Sequence, residues 1–119
     1  MSNRIKLEKY ELLDYSNNNA FMGYVYYNPE TDKFSITLAD DYTGKYPDLY
    51  FRICIQRGLK EMPQDMVDEF IEERVLPPNR QGLSDILQRI GLKEYNIHDI
   101  IVYNKGISDV DRLWFKRIE

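Results

Sequence analysis

Residues Arg74 to Leu83 read RVLPPNRQGL, and residues Gly106 to Phe115 read GISDVDRLWF. In the first block, Pro77 and Pro78 end a helical pattern, because proline lacks the backbone donor and biases the preceding residue away from helix. In the second block, an acidic turn leads to the only tryptophan of the chain. We therefore predict a corner between two helices at the first block and a turn into the last element at the second.

Upstream of these blocks, three stretches of the chain show strand patterns. Ile5 to Leu13 alternates loosely, Phe21 to Tyr27 is dense in aromatic and β-branched residues, and Phe34 to Leu38 alternates again. The turn formers from Asn28 to Asp32 join the last two stretches into a hairpin. These patterns predict an antiparallel meander with one face available for a core.

Two further stretches of the first half are less regular. Asp40 to Asp48 contains Gly44 and Pro47 and is expected to be a loop. Leu49 to Ile55 fits either a strand or a short helix that ends at Gly58, because short apolar runs cannot be resolved by their period alone. Of the two, we favour the strand.

From Pro63 onwards the apolar period is helical. A first amphipathic helix carries Met66, Phe70 and Ile71, and a second is expected from about Asn79 to Ile90, closed by Gly91. A third, capped by Asn96 and closed by Gly106, is followed by a turn from Ser108 or Asp109 into residues 113–118. The fold class is therefore α+β: an N-terminal antiparallel β-meander of three to four strands, three short helices, and a C-terminal turn or strand.

Length, charge and cysteine content restrict the class of protein. With 119 residues, 43% of them apolar, residues 1–119 are expected to form one domain. The net charge of −4 makes nucleic acid an improbable partner, because phosphate-binding domains are usually basic. Cys54 is the only cysteine, and no apolar run approaches the roughly 20 residues that cross a bilayer. We expect a cytoplasmic protein that does not span a membrane.

The charged residues of the two blocks have a structural and a functional interpretation. Arg74 and Arg80 could bond the free carbonyls at the end of the first helix, or hold a carboxylate or phosphate of a partner through their bidentate groups. Asp111 and Trp114 suggest a capped turn with a buried aromatic ring. If the ring were exposed, it would be a candidate interface hot spot.

The first helix also carries an acidic stripe. Asp65, Glu69 and Glu72 lie at one-turn spacing, which fits a solvated face, a metal site or a mimic of a phosphate backbone. Ten tyrosines, with Tyr24 and Tyr26 on one face of a strand, slightly favour a binding module over an enzyme.

Catalytic interpretations have little support in the sequence. His98 is the only histidine, and one histidine cannot supply several metal ligands or the nucleophile, base and orienting group of a hydrolase. Cys54 lies in an apolar run and is expected to be buried and unreactive. Phosphate-binding and kinase catalytic-loop patterns are missing from the sequence. We expect a protein that is not an enzyme and that holds no cofactor or metal.

Together, the two blocks resemble the N-terminal, non-catalytic segment of HipA-like kinases of Gram-positive bacteria. That segment carries an R-x-[IL]-P-x-x-R-x-G-[IL] block and then a G-[IL]-S-x-x-D-x-x-W-[IFL] block, just before the kinase domain. The resemblance covers about Phe70 to Phe115. It departs where this chain has Phe70 and Ile71, since the family often has tryptophans there, and at Leu113, where the family has a tyrosine. The matching positions are Arg74, Leu76, Pro77, Arg80, Gly82, Leu83, Gly106, Ser108, Asp111 and Trp114.

The resemblance implies a small α+β segment that packs on a kinase core and helps to contact an antitoxin. The resemblance also implies that in related systems this segment is a separate protein, which binds and restrains the kinase. The sequence ends at Glu119 and has no positions that match the kinase motifs, so no kinase chemistry is carried over.

We therefore expect a non-enzymatic protein-binding module with an antitoxin-like role towards a HipA-like kinase. The alternative is a phage or mobile-element inhibitor of a host nuclease or defence protein that uses the acidic helix as its contact surface. A homodimer is compatible with both. The candidate partner-binding residues are Arg74, Arg80, Asp111, Trp114, Asp65, Glu69 and Glu72.

Overall fold

A four-stranded antiparallel sheet, with strand order β3-β2-β1-β4, forms one layer of the protein. The computed structural model describes residues 7–40 and 49–118. A 3-10 turn, Tyr15–Asn17, follows the first strand. In chain order the elements are β1 (Glu8–Asp14), β2 (Ala20–Asn28), β3 (Lys33–Leu38), α1 (Leu49–Gln56), α2 (Gln64–Glu72), α3 (Leu83–Arg89), α4 (Ile97–Asn104) and β4 (Leu113–Ile118).

This architecture confirms the predicted α+β class. The N-terminal meander is present as β1, β2 and β3, and the last element is a strand that pairs antiparallel with β1. The early part of the first predicted strand and most of the predicted loop, residues 41–48, lie outside the described residues. None of the helices in the described ranges is long and apolar enough to cross a membrane.

The preference for a strand at Leu49 to Ile55 is wrong, because this stretch is the helix α1. Phe51 and Cys54 are fully buried, three residues apart, whereas Arg52 and Ile55 are exposed. That spacing places the two buried side chains on one side of a helix but on opposite sides of a strand. The described residues therefore contain four helices where the sequence predicted three.

The second predicted helix begins later than expected. The chain from Asn79 to Gly82 forms turns, in which the backbone N–H of Arg80 donates to Pro77 O at 3.1 Å. Gly82 has a φ of 75°, a left-handed conformation that cannot continue a helix. The helix α3 therefore starts at Leu83, and it ends as predicted at a left-handed Gly91 with φ 84°.

The core lies on one face of the sheet. Alternate side chains of all four strands pack there with buried residues of α1, α2 and α4, and the largest fully buried side chains are Phe51, Phe70, Leu12, Met22, Ile36, Ile101 and Leu113. The opposite face is not covered by any of the described helices. We call it the open sheet face, and its central residues are Lys9, Glu11, Leu13, Phe21, Tyr24, Tyr26, Trp114 and Lys116.

A β-bulge in β2 adjusts this alternation. Leu12 pairs with Gly23 and Leu13 with Phe21, so Met22 is the additional residue. Gly23 has a φ of 154°, and a Cβ at this position would lie 2.2 Å from Thr37 O. Glycine is therefore required where β2 and β3 approach each other, and the bulge turns Phe21 to the same face as Tyr24.

Both edges of the sheet are partly covered by other segments of the chain. Beyond β3, Leu38 N donates to Lys60 O at 2.8 Å and Met62 N donates to Ile36 O at 3.0 Å. Beyond β4, Phe115 N donates to Lys105 O at 2.7 Å. These bonds occupy backbone groups that would otherwise be available to pair with a foreign strand.

Candidate interaction surfaces

The two sequence blocks meet at a buried ion pair. Arg74 lies just after α2, and its Nη2 donates to both carboxylate oxygens of Asp111, at 2.6 and 2.5 Å. The side chains are 0% and 1% exposed. The Arg74 guanidinium also lies 3.7 Å from the centre of the Phe70 ring, and its Nη1 donates to Phe70 O at 3.2 Å. The pair therefore fixes the turn before β4 against the end of α2.

Neutral hydrogen bonds strengthen the same junction. The hydroxyl of Ser108 donates to Glu73 O at 3.0 Å, and the amide of Asn104 donates to Arg74 O at 2.8 Å. The hydroxyl of Tyr95 donates to Leu76 O at 2.6 Å. These side chains satisfy carbonyls that the end of a helix leaves without partners, so the corner after α2 is held by several elements.

A groove of about 410 Å³ lies beside this junction. Both blocks line it, together with α3 and α4. We call it the corner groove, and the residues that define it are Leu76, Arg80, Ile86, Ile90, Tyr103 and Ile107. Tyr103 and Ile107 are 59% and 49% exposed, and Val110 nearby in sequence is 64% exposed. Exposed apolar side chains around a groove mark a surface suited to binding another protein.

Arg74 and Arg80 have different environments, although the sequence placed them at one corner. The Arg74 side chain is buried and bonds a helix carbonyl, as its structural interpretation predicted, whereas Arg80 is exposed at the corner groove. The partner-binding role expected for Arg74 and Asp111 has no surface through which to act, because each already binds the other inside the fold. Only Arg80 of these three residues is available to a partner.

Trp114 lies on the open sheet face, not in the core. Its indole N–H donates to Asn19 Oδ1 at 3.0 Å, and the ring is half-buried. The expectation of a core ring is therefore wrong for Trp114, and the adjacent Phe115, at 2% exposure, fills the core instead. Successive side chains of a strand point to opposite faces, so only one of the neighbours Trp114 and Phe115 can point into the core.

The acidic stripe of α2 is a surface feature. Asp65, Glu69 and Glu72 are all exposed, on the side of the helix opposite its buried residues. The Tyr50 hydroxyl lies 3.4 Å from Glu69 Oε2. The pKa of Tyr50 is raised by a hydrogen bond to Glu73 and then by burial. Within the described ranges, no cluster of His, Cys, Asp and Glu has the arrangement of a metal site.

His98 belongs to an aromatic cluster that the sequence did not reveal. Its ring stacks on Tyr27 with centroids 3.8 Å apart, and its Nε2 lies 2.8 Å from the Tyr10 hydroxyl. Burial lowers the pKa of His98. Burial and a hydrogen bond to Asp32 raise the pKa of Tyr27 to about 12. The imidazole is thus packed between aromatic rings, and Cys54, at 0% exposure, is buried as expected.

No protein-family model, curated protein or solved structure matches this chain.

Proposed function

We propose that this chain is a non-enzymatic protein-binding module that docks on a HipA-like kinase and modulates it, in an antitoxin-like role. The observation that supports this proposal is the junction of the two blocks. Residues about 37 positions apart form a buried ion pair, and the same two blocks line one exposed apolar groove. A rigid framework beneath exposed apolar side chains is the arrangement expected of a preorganised docking site.

The corner groove is the proposed contact with the kinase. Tyr103 and Ile107 would supply the apolar centre of the interface, because aromatic and large aliphatic side chains provide contact area at low entropic cost. Arg80 would lie at the edge of this contact and bind a carboxylate of the partner through its planar guanidinium group. Arg74 and Asp111 would act only by holding the groove in shape.

Capture by the purified kinase domain of a HipA-like protein from a Gram-positive bacterium tests this proposal. We expect Ile107→Asp to weaken capture by at least tenfold, since it places a charge in the apolar centre. Ile55→Asp on α1 is the matched control, because Ile55 is 45% exposed and does not line the groove. Equal capture of both variants and the original chain, or no capture at all, would contradict the proposal.

The exposed acidic stripe of α2 supports one alternative, an inhibitor of a host nuclease or defence protein from a phage or mobile element. In that case Asp65, Glu69 and Glu72 would contact a basic surface that normally holds phosphates. Reversal of charge with Glu69→Lys and Glu72→Lys separates the two proposals. Loss of partner binding in this double variant, with Ile107→Asp unaffected, would favour the acidic helix over the corner groove.

A further inference from the structure

The open sheet face is more apolar than the exposed side of a two-layer fold usually is. Antiparallel sheets that are covered on one side normally present polar residues on the other. Here Phe21, Tyr24, Tyr26 and Trp114 are half-buried on the side that no helix of residues 7–40 and 49–118 covers. The rings of Phe21 and Tyr24 lie 4.9 Å apart, and those of Tyr24 and Tyr26 lie 6.1 Å apart. A continuous aromatic surface of this kind marks a protein–protein contact.

The strand register arranges this face in rows. One row across β2, β1 and β4 consists of Tyr24, Glu11 and Lys116. The next row consists of Tyr26, Lys9 and Ile118. The rows are adjacent, because residues two apart along a strand share a face.

The two rows carry opposite charges at their β1 positions. On β1, Glu11 occupies one row and Lys9 the next, while both rows carry a tyrosine on β2. On β4, the first row carries the long side chain of Lys116 and the second row carries the apolar side chain of Ile118. A patch whose two halves complement each other can pair with a second copy of itself about a two-fold axis.

We infer that the open sheet face binds a second copy of the same chain. The two-fold axis would run between the two rows, parallel to the sheet and perpendicular to its strands. Glu11 then faces Lys9 of the second copy, and Tyr24 faces Tyr26 of the second copy. Two sheets packed in this way lie about 10 Å apart with their strands within about 30° of each other, and at so small a twist the rows nearest the axis remain opposed. This pairing is independent of docking at the corner groove.

The other surfaces are less suited to pairing of identical copies. The hydrogen bonds to Lys60, Met62 and Lys105 occupy backbone groups at the sheet edges, which opposes pairing edge to edge. Two acidic α2 faces would repel each other, since like charges across a contact are unfavourable. The open sheet face is small, because four strands about 4.8 Å apart place the outer two roughly 14 Å from each other. A reversible dimer with a dissociation constant on the order of micromolar is expected.

Sedimentation equilibrium of the full chain over a range of concentrations tests this inference. We expect the original chain to dimerise reversibly. Glu11→Lys would place a lysine against Lys9 of the second copy, and Lys9→Glu would place a glutamate against Glu11. Each variant alone is expected to raise the dimer dissociation constant at least tenfold.

Mixing the two single variants provides the decisive measurement. In a mixed pair, both lysines of one copy meet both glutamates of the other, so an equimolar mixture should recover dimerisation. The double variant that carries both substitutions should recover it as well, because the exchange restores complementarity within identical copies. Glu69→Lys on α2 is the control and should leave the dissociation constant unchanged, with circular dichroism confirming that every variant is folded.

Three outcomes would overturn the inference. The first is an original chain that stays monomeric at concentrations far above the micromolar range. The second is a dimer that Glu11→Lys and Lys9→Glu leave intact. The third is a mixture of the two single variants that stays monomeric. If the original chain is monomeric but these variants lose capture by a kinase domain, the open sheet face binds a different protein and not a second copy.

Discussion

The guanidinium of Arg74 donates to both carboxylate oxygens of Asp111, at 2.6 and 2.5 Å, with both side chains removed from water. An ion pair that is buried to this extent can cost as much in desolvation as it gains in attraction. Its effect is seen mainly when one partner is lost, since the other charge is then left unpaired inside the protein. The pair therefore favours the one arrangement of α2 and β4 in which these two charges meet.

Asp111→Ala should lower the free energy of unfolding by about 3–5 kcal/mol, the usual cost of leaving a buried charge without its partner. Urea denaturation followed by circular dichroism measures this change. The double variant Arg74→Met with Asp111→Asn should cost less than the sum of its single variants, because no charge remains buried. Glu8→Gln is the control, since its pair with Arg117 is partly exposed and worth less than about 1 kcal/mol. Additive costs in the double variant would contradict this account.

Neighbouring aromatic residues of β4 should differ in their contribution to stability. Phe115→Ala is expected to cost about 3–5 kcal/mol, because its ring is buried in the core. Trp114→Ala should cost clearly less, since its ring lies half-buried on the open sheet face. The melting temperatures of the two variants give the comparison, and a larger loss in Trp114→Ala would show that the indole is a core residue.

Stability should fall at mildly acidic pH because of His98. Burial lowers its pKa in the folded protein from the ordinary value of 6.5, so the unfolded chain binds a proton more readily. The contribution of this residue is complete above pH 6.5 and is lost as the pH falls from there through the lower pKa of the folded protein. Unfolding free energies at pH 7.5 and 5.5 measure the loss. His98→Phe retains a ring beside Tyr27 but cannot be protonated, so its stability should depend less on pH over this interval.

Two glycines should tolerate alanine to very different extents. Gly23→Ala would place a Cβ 2.2 Å from the backbone oxygen of Thr37, and because a strand backbone cannot yield easily we expect a loss of at least about 3 kcal/mol. Gly91→Ala meets no atom within 4 Å, and only its φ of 84° is unfavourable, at a cost of roughly 1–2 kcal/mol. Thermal unfolding of both variants tests this ranking of their stabilities. The ranking would be wrong if Gly91→Ala were less stable than Gly23→Ala.

The first three strands could be predicted from the sequence, because two of them alternate apolar and polar residues and Phe21 to Tyr27 is dense in aromatic and β-branched residues. Phe34 to Leu38 shows the alternation most simply, with Phe34, Ile36 and Leu38 all buried. Leu49 to Ile55 was assigned wrongly because its apolar residues form a short, almost continuous run, in which the helical and strand periods cannot be told apart. Only packing decides that Phe51 and Cys54 share a side, and packing is a property of the whole fold.

The candidate site could be predicted only in part. The two prolines allowed the corner after α2 to be predicted, and the spacing of the acidic residues predicted an acidic stripe on the exposed face of α2. The partner of Arg74 could not be foreseen, since Asp111 lies 37 residues away and several carboxylates were equally plausible. The faces of Trp114 and Phe115 depend on the pairing of β4 with β1, which no local pattern of the sequence specifies.

The position of β4 in the sheet has a consequence for synthesis in the cell. Arg117 of β4 bonds Glu8 of β1 across a separation of 109 residues, so the first strand leaves the ribosome long before its neighbour exists. At typical elongation rates this delay is roughly 5–20 s, during which one side of β1 has no strand to pair with. The sheet can therefore be completed only after translation has passed residue 118 and β4 has left the ribosome.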